Sequence, residues 1–327
     1  MALLDATSKL TLLDLAAETG PDGDLLKMAM VLAKTNDILL DAPWIQANGP
    51  TSHEILQSIS LPTGTWRLIN RGVPTEAPHG TKVTEELGML ESYAEVDKKL
   101  VELAANPVEF RSNKALSTLE GMNQTWASAM VYGNSTTDPE KITGLAPRLN
   151  STGLTLVKSA GSTSTAGDLT SVYIVQWGET QAYIAYPKDA VMFGVSHQDL
   201  GEVTLADADG NQFQGYRDHY RLDVGLCVED PRCVARYCNI EVTGATDTFD
   251  PTHIFEIINK MPGRGARSAM YCNSTIYTQL DKLAYAKVVP ITYGGDADVF
   301  GRPVMRFRGI PVRQVDAILD TEELVTA

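Results

Sequence analysis

A chain of 327 residues with 43% hydrophobic and 21% charged side chains can bury a sizeable core, in one large domain or two interleaved ones, which excludes global disorder. Its 27 basic against 41 acidic residues give a net charge of −14, a poor balance for gripping nucleic-acid phosphates or an anionic membrane without sequence preference. No apolar run approaches the ~20 residues that span a bilayer, and four cysteines in a chain this long make no disulfide framework.

The start, Met1-Ala2-Leu3-Leu4-Asp5, has no basic stretch leading into a long apolar one, so no signal peptide is expected. Residues 1–50 read as an extended arm with short helical pieces. Leu10, Leu13 and Ala17 share one face, and Gly20-Pro21-Asp22-Gly23 breaks the pattern. Residues 55–100 read as a long β-hairpin with limbs at 59–72 and 82–100 and a turn-rich tip at 73–80. The first limb carries Arg67 and Arg71; the second carries Glu85, Glu86, Glu91 and Glu95. A two-stranded ribbon is only marginally stable alone in water, so this one is expected to pack on another subunit.

Residues 106–132 form the clearest helix. Asn106-Pro107 supplies an N-cap and a first-turn proline, and Val108, Ala115, Leu119, Met122, Trp126 and Met130 recur at helical spacing. Gly133-Asn134 ends a helix of roughly 37 Å at about 1.5 Å per residue. Strand-like segments follow at 171–177 and 182–186. Leu222, Val224, Leu226 and Val228 then alternate with Arg221, Asp223, Gly225 and Cys227. Glu229-Asp230-Pro231-Arg232 turns the chain, and 233–242 is expected to return antiparallel to that strand. Residues 251–261 and 274–286 read as helices, and 304–318 as strands around Gly309-Ile310-Pro311.

Catalytic and metal patterns are weak throughout. Cys227, Cys233, Cys238 and Cys272 lack the paired C-x2–4-C spacing of structural zinc sites and read as small buried hydrophobes. Asp207-Ala208-Asp209-Gly210-Asn211 opens like a calcium loop but has its glycine and closing acid wrong, and reads as a turn between strands. Pro262-Gly263-Arg264-Gly265-Ala266-Arg267 contains G-x-G without the strand or third glycine of a dinucleotide fingerprint. The five histidines are scattered, and Asp218-His219-Tyr220 reads as a hydrogen-bonded strand feature with no nucleophile to serve. No catalytic, cofactor-binding or metal-ligating residue is assigned. An enzyme built on the cysteines stands as the alternative of a different class, which stoichiometric metal in the purified protein would favour.

The chain resembles phage major capsid proteins of the HK97 fold from about residue 1 to 325. The long helix is similar to the family's spine helix, and the hairpin before it to the E-loop. Ile142-Thr143-Gly144-Leu145-Ala146-Pro147-Arg148 resembles the G-L-A-x-R segment that follows the spine. Residues 225–240 resemble strands with a central arginine and a closing A-N-I-D. Residues 271–276 and 307–318 resemble the C-terminal helix and strand. The resemblance implies an α+β fold: an N-terminal arm (1–50), an E-loop region (51–105) and a spine helix (106–135). It also implies a P-domain with long strands (196–244) and an A-domain in two parts (136–195 and 245–327). Because the strands at 215–242 precede the helices at 251–286, it implies a rewired connectivity. It implies no enzymatic activity and no cofactor. It implies a shell subunit forming hexamers and pentamers of an icosahedral head around double-stranded DNA, assembled in the host cytoplasm. The partners would be itself, a separate scaffolding protein, a portal and a decoration protein, with no membrane. An encapsulin-like nanocompartment is the alternative within the fold. Arg67, Arg71, Glu85, Glu86, Glu91 and Trp126 are the residues expected at contacts between subunits.

Overall fold

A computed structural model describes residues 36–104, 106–164, 167–188, 190, 194–207, 209–243, 246–285, 291–293 and 305–327. The arm face of Leu10, Leu13 and Ala17 lies outside them. In chain order the elements begin with α1 (Ile38–Asp41), β1 (Trp44–Gln46), β2 (Ser52–Ser60), β3 (His79–Glu86) and β4 (Gly88–Asp97). Next come α2 (Lys98–Leu103), α3 (Pro107–Tyr132), α4 (Leu145–Arg148), β5 (Val157–Ser159), β6 (Leu169–Gln176) and β7 (Ala182–Tyr186). β8 (Ser196–Ala206), β9 (Gln212–Val228) and β10 (Val234–Glu241) follow, then α5 (Pro251–Lys260), β11 (Ser268–Cys272) and α6 (Ser274–Tyr285). β12 (Ile291–Tyr293), β13 (Met305–Phe307) and β14 (Ile310–Gln314) complete the order. Two compact units interleave along the sequence. One is built from the described residues of 89–126 and 194–223, the other from those of 36–88, 127–190 and 224–327.

In the first unit β9 lies between β4 and β8. β8 and β9 pair antiparallel through the turn at Asp207, whose carboxylate accepts the N–H groups of Asp209 and Asn211. That local capping explains a turn rich in acids. Side chains of β9 alternate as strand geometry requires. Tyr220 stacks on His197, which also bonds Asp218 at 3.0 Å, while His219 stacks on Tyr93 and bonds Glu91 at 3.1 Å. Val96, Leu100, Val101, Ala104 and Phe110 form a small core, with Arg111 bridging Asp199 and Asp218.

The second unit centres on a seven-stranded sheet, β12-β13-β14-β11-β6-β10-β5. β6 and β10 are buried along nearly their whole length, so both faces are covered. α5 starts at Asp250, which accepts the N–H of Thr252, with Pro251 in the first turn. Its Ile254, Ile257 and Ile258 share a face with the sheet core, as do Ile276 and Leu280 of α6. The β13–β14 hairpin turns on two residues, Arg308 and Gly309, both at positive φ, the geometry of a tight primed turn. A smaller group pairs β1, β7 and the end of β9. The C-terminal segment returns over the large sheet. Glu322 N donates to Leu169 O at 2.8 Å, and Asn239 exchanges hydrogen bonds with the Val325 backbone.

Two sequence expectations are corrected. The strand at 222–228 does not pair with 233–242. Asp230 instead caps a 3-10 turn at Pro231–Cys233, which carries the chain from β9 to β10, and β10 pairs with β6 and β5. The hairpin limbs are β2 and β3, in register from Ser52↔Glu86 to Ser58↔Gly80. The first limb therefore ends at Ser60, because 61–78, punctuated by Pro62, Gly64, Gly72, Pro74 and Pro78, makes no ladder. The second limb stops at Glu86, and the chain leaves the ribbon as β4.

All four cysteines are free and buried. Burial pushes the Cys227 thiol up to about 12 and those of Cys233 and Cys238 to about 11, and it raises Cys272 as well. A thiol-reactive chromophore is expected to label none of them in the folded protein and all four after denaturation. Rapid labelling of the folded chain would contradict the packing.

Candidate assembly interface

The clearest interface candidate begins with how the β2–β3 ribbon is rooted. Helix α3 ends where Gly133 and Gly144 meet. A Cβ on Gly144 would lie 2.7 Å from the Ala129 carbonyl, so only glycine admits this approach of backbone to backbone. Leu145 then plugs the core, and Arg148, four residues past Gly144, reaches the ribbon. Its guanidinium donates to both oxygens of Glu85, at 2.7 and 2.6 Å, and to the carbonyls of Thr143 and Leu226, each at 3.1 Å. A planar fork on a carboxylate fixes orientation as well as charge. Tyr183 bonds His53 at 2.8 Å, and Gln57 donates to the Glu229 carbonyl at 2.9 Å, so both limbs are tied down near the root.

Beyond the root the ribbon is apolar and open. Thr63 and Glu76 close the neck of the loop, the Glu76 carboxylate accepting the Thr63 N–H at 2.6 Å. A turn at Leu68–Arg71, with Asn70 at positive φ, forms the end. In this loop Leu61, Leu68 and Ile69 are exposed and Trp66 is fully exposed, and Leu56 and Ile59 on β2 are exposed as well. Large apolar side chains gathered on one projecting segment mark a surface that is covered in a complex.

The six residues expected at contacts are dispersed. Arg67 and Arg71 stand in the exposed loop and make no ion pair among the described residues. Glu85 is only 5% exposed and is held by Arg148, so it does not face Arg67 or Arg71 within the subunit. Glu86 is exposed beside it, at the register position of Ser52. Glu91, in the other unit, bonds His219. Trp126 is 4% exposed, its ring turned into the fold. Sequence reasoning passed over two things: the role of Arg148, whose partner lies 63 positions away, and the apolar loop, read as a strand limb. The signal for the loop was present in the prolines and glycines flanking Trp66.

Comparison with known proteins places this architecture. The family model for major capsid protein GP7 matches residues 20–326. A chain of the near-atomic cryo-EM structure of bacteriophage Epsilon15 is 29% identical, with a TM-score of 0.69 and full coverage of both chains. The bacteriophage JBD30 capsid is 11% identical at a TM-score of 0.47, covering 95% of this chain and 96% of that one. An encapsulin of Synechococcus elongatus is 13% identical at 0.46, covering 74% and 100%. Neither of these two likenesses bears on function. No curated protein matches the chain. The fold is α+β and HK97-like, and the chain serves as a structural, self-assembling element of a phage capsid shell. The chain belongs to the family of major capsid protein GP7.

Proposed function

We propose that the subunit assembles as hexamers and pentamers into the icosahedral head that encloses the phage double-stranded DNA, and that its β2–β3 loop clasps a neighbouring subunit. The observation that carries the reading is the fully exposed Trp66, set among exposed Leu61, Leu68 and Ile69 on a ribbon rooted by Arg148. A ribbon of two strands gains little by folding alone. Laid on another copy, it buries an aromatic anchor in every repeated contact, and repetition multiplies weak contacts into a closed shell. Arg67 and Arg71 in the same loop suit the acidic surface of a chain with net charge −14. Glu86 and Glu91 are the acids offered to such contacts. A separate scaffolding protein, a portal at one vertex and a decoration protein complete the proposed set of partners, with assembly in the host cytoplasm. The acidic chain would let the packaged DNA move without adhering.

Trp66→Ala tests the clasp. Its ring has no part in the subunit core, so subunit stability is expected to change by no more than about 0.5 kcal/mol. Loss of one anchor of about 2 kcal/mol is expected to raise the concentration needed for assembly roughly thirtyfold, read by light scattering and sedimentation velocity. Normal assembly by the variant would remove the loop from the interface.

A further inference from the structure

At one point the β2–β3 ribbon meets β9 with no side chain between the two backbones. A Cβ on Gly225 would lie 2.7 Å from the Glu86 carbonyl oxygen and 2.7 Å from Leu87 Cδ2, with Leu87 Cα at 3.4 Å. The leucine tip can rotate away, but the carbonyl belongs to the backbone on which the ribbon ends. Gly225 stands in the β9 ladder opposite Ala185, and its φ is outside the left-handed region, so no turn geometry calls for glycine there. What calls for it is the approach of the ribbon. Arg148 bolts the same contact from the side. Its fork holds the Glu85 carboxylate and it also donates to the Leu226 carbonyl, so the residue next to the close approach is fixed on each strand. Leu87 N donates to Thr51 O at 3.0 Å, which closes the two limbs together at the same level. Ribbon, Arg148 and Gly225 all belong to one compact unit.

We propose that Gly225 is the seat that sets the angle at which the ribbon leaves its unit, and through that angle the curvature of the shell. The shell half rests on the reading that the loop clasps a neighbouring subunit; the seat does not. In a closed assembly every copy repeats the same contacts, so the direction of the clasp fixes the turn from each subunit to the next. Backbone seated on backbone leaves that direction no slack for a side-chain rotamer to take up. Carbon ordinarily stays about 3.3 Å or more from a carbonyl oxygen, so a methyl on Gly225 displaces the Glu86 carbonyl by about 0.6 Å. That displacement acts one residue, about 3.3 Å, from the Glu85 anchor, and it tilts the ribbon by roughly 10°. Over the nine residues of β2, about 30 Å, the far end moves by on the order of 5 Å. Gly225 is thus a positioning residue that acts through the ribbon.

Gly225→Ala tests the proposal in two steps. Thr81, near the ribbon's far end, and Asn259 and Thr136 on the body of the same unit are exposed, and the four native cysteines are buried. Thr81→Cys, paired in turn with Asn259→Cys and with Thr136→Cys, therefore carries two spin labels at chosen sites. Pulsed electron spin resonance on the unassembled full chain is expected to give one narrow distance for each pair. Gly225→Ala is expected to shift at least one of them by several ångström, with an unfolding midpoint that shows the subunit still folded. Expressed with the neighbouring genes, the same variant is expected to give shells of altered diameter or open sheets under electron microscopy. A broad distance distribution in the chain that keeps Gly225 would overturn the seat, whether or not the variant folds. Distances unmoved by Gly225→Ala would overturn it too. Moved distances with shells of unchanged diameter would overturn the link to curvature. Trp66→Ala, run in parallel, separates the two readings: normal assembly by that variant removes the clasp and the shell half with it, and the distances still decide the seat.

Discussion

Glu322→Ala is expected to destabilise the subunit by about 3–5 kcal/mol, the cost of leaving a buried charge without its partner. Arg236 and Glu322 are among the most deeply buried charges described, and their side chains are 6% and 4% exposed. Arg236 donates to Glu322 at 2.9 Å, to the Leu149 carbonyl at 3.1 Å and to the Ser171 hydroxyl at 3.0 Å. The Ser171 hydroxyl also bonds Glu322, and Tyr132 donates to its other oxygen. Burial, with the Glu322 charge beside it, pushes the Tyr132 hydroxyl upward, so it remains a donor. It also accepts the Leu319 N–H at 2.9 Å. One carboxylate thereby fastens β6, β10, the end of α3 and the C-terminal segment. Typical domains have about 5–15 kcal/mol in all, so the loss is a large fraction. Urea unfolding of the unassembled subunit measures it, and proteolysis at the C-terminus should quicken in parallel. The double change Arg236→Leu with Glu322→Leu is expected to recover much of the loss, because an apolar pair needs no compensation. A single-variant cost under about 1 kcal/mol would mean that the pair behaves as a solvated one.

Arg148→Ala is expected to cost a similar ~3–5 kcal/mol, with a further effect on assembly. Glu85 is left buried and unpaired, and the carbonyls of Thr143 and Leu226 lose a donor. The root of the ribbon then loosens, so the loop that carries Trp66 is no longer held in one direction. Arg148→Lys should restore only part of the stability, since an ammonium cannot reproduce two parallel bonds to one carboxylate. Comparison with Trp66→Ala separates the two roles. The tryptophan variant is expected to fold normally and assemble poorly, whereas the arginine variant is expected to be impaired in both. Arg148→Ala with unchanged unfolding and unchanged assembly would show that the fork is dispensable.

What was legible in the sequence follows from how local each cause is. Helix α3 was readable to within a residue, because Asn106, Pro107, the apolar spacing and Gly133 all act within a few turns of one another. α5, with its cap at Asp250, was readable for the same reason. The partner of β10 was not. Strands covered on both faces lack alternation, and nothing near Asp230 says whether the turn folds a strand back or sends it to another sheet. The ribbon was legible as a ribbon. Its length was not, because Leu61 to Val73 is as apolar as a strand while having no strand beside it. The G-L-A-x-R resemblance located Gly144 and Arg148, but only the structure gives each its reason: a backbone approach that forbids a side chain, and an ion pair across 63 positions. Arg67 and Arg71, expected on a strand limb, stand instead in the loop at 61–78. Within the subunit Glu85 is held by Arg148, a pairing that no local pattern signals because the two lie 63 positions apart.

Cryo-electron microscopy of the chain expressed with its neighbouring genes tests the assembly account most directly. Closed icosahedral shells are expected, in which residues 61–78 lie buried against an adjacent subunit and Trp66 is covered. A discrete monomer or dimer under every condition, scaffold included, would contradict assembly, and shells in which that loop stays open to solvent would contradict its part in it.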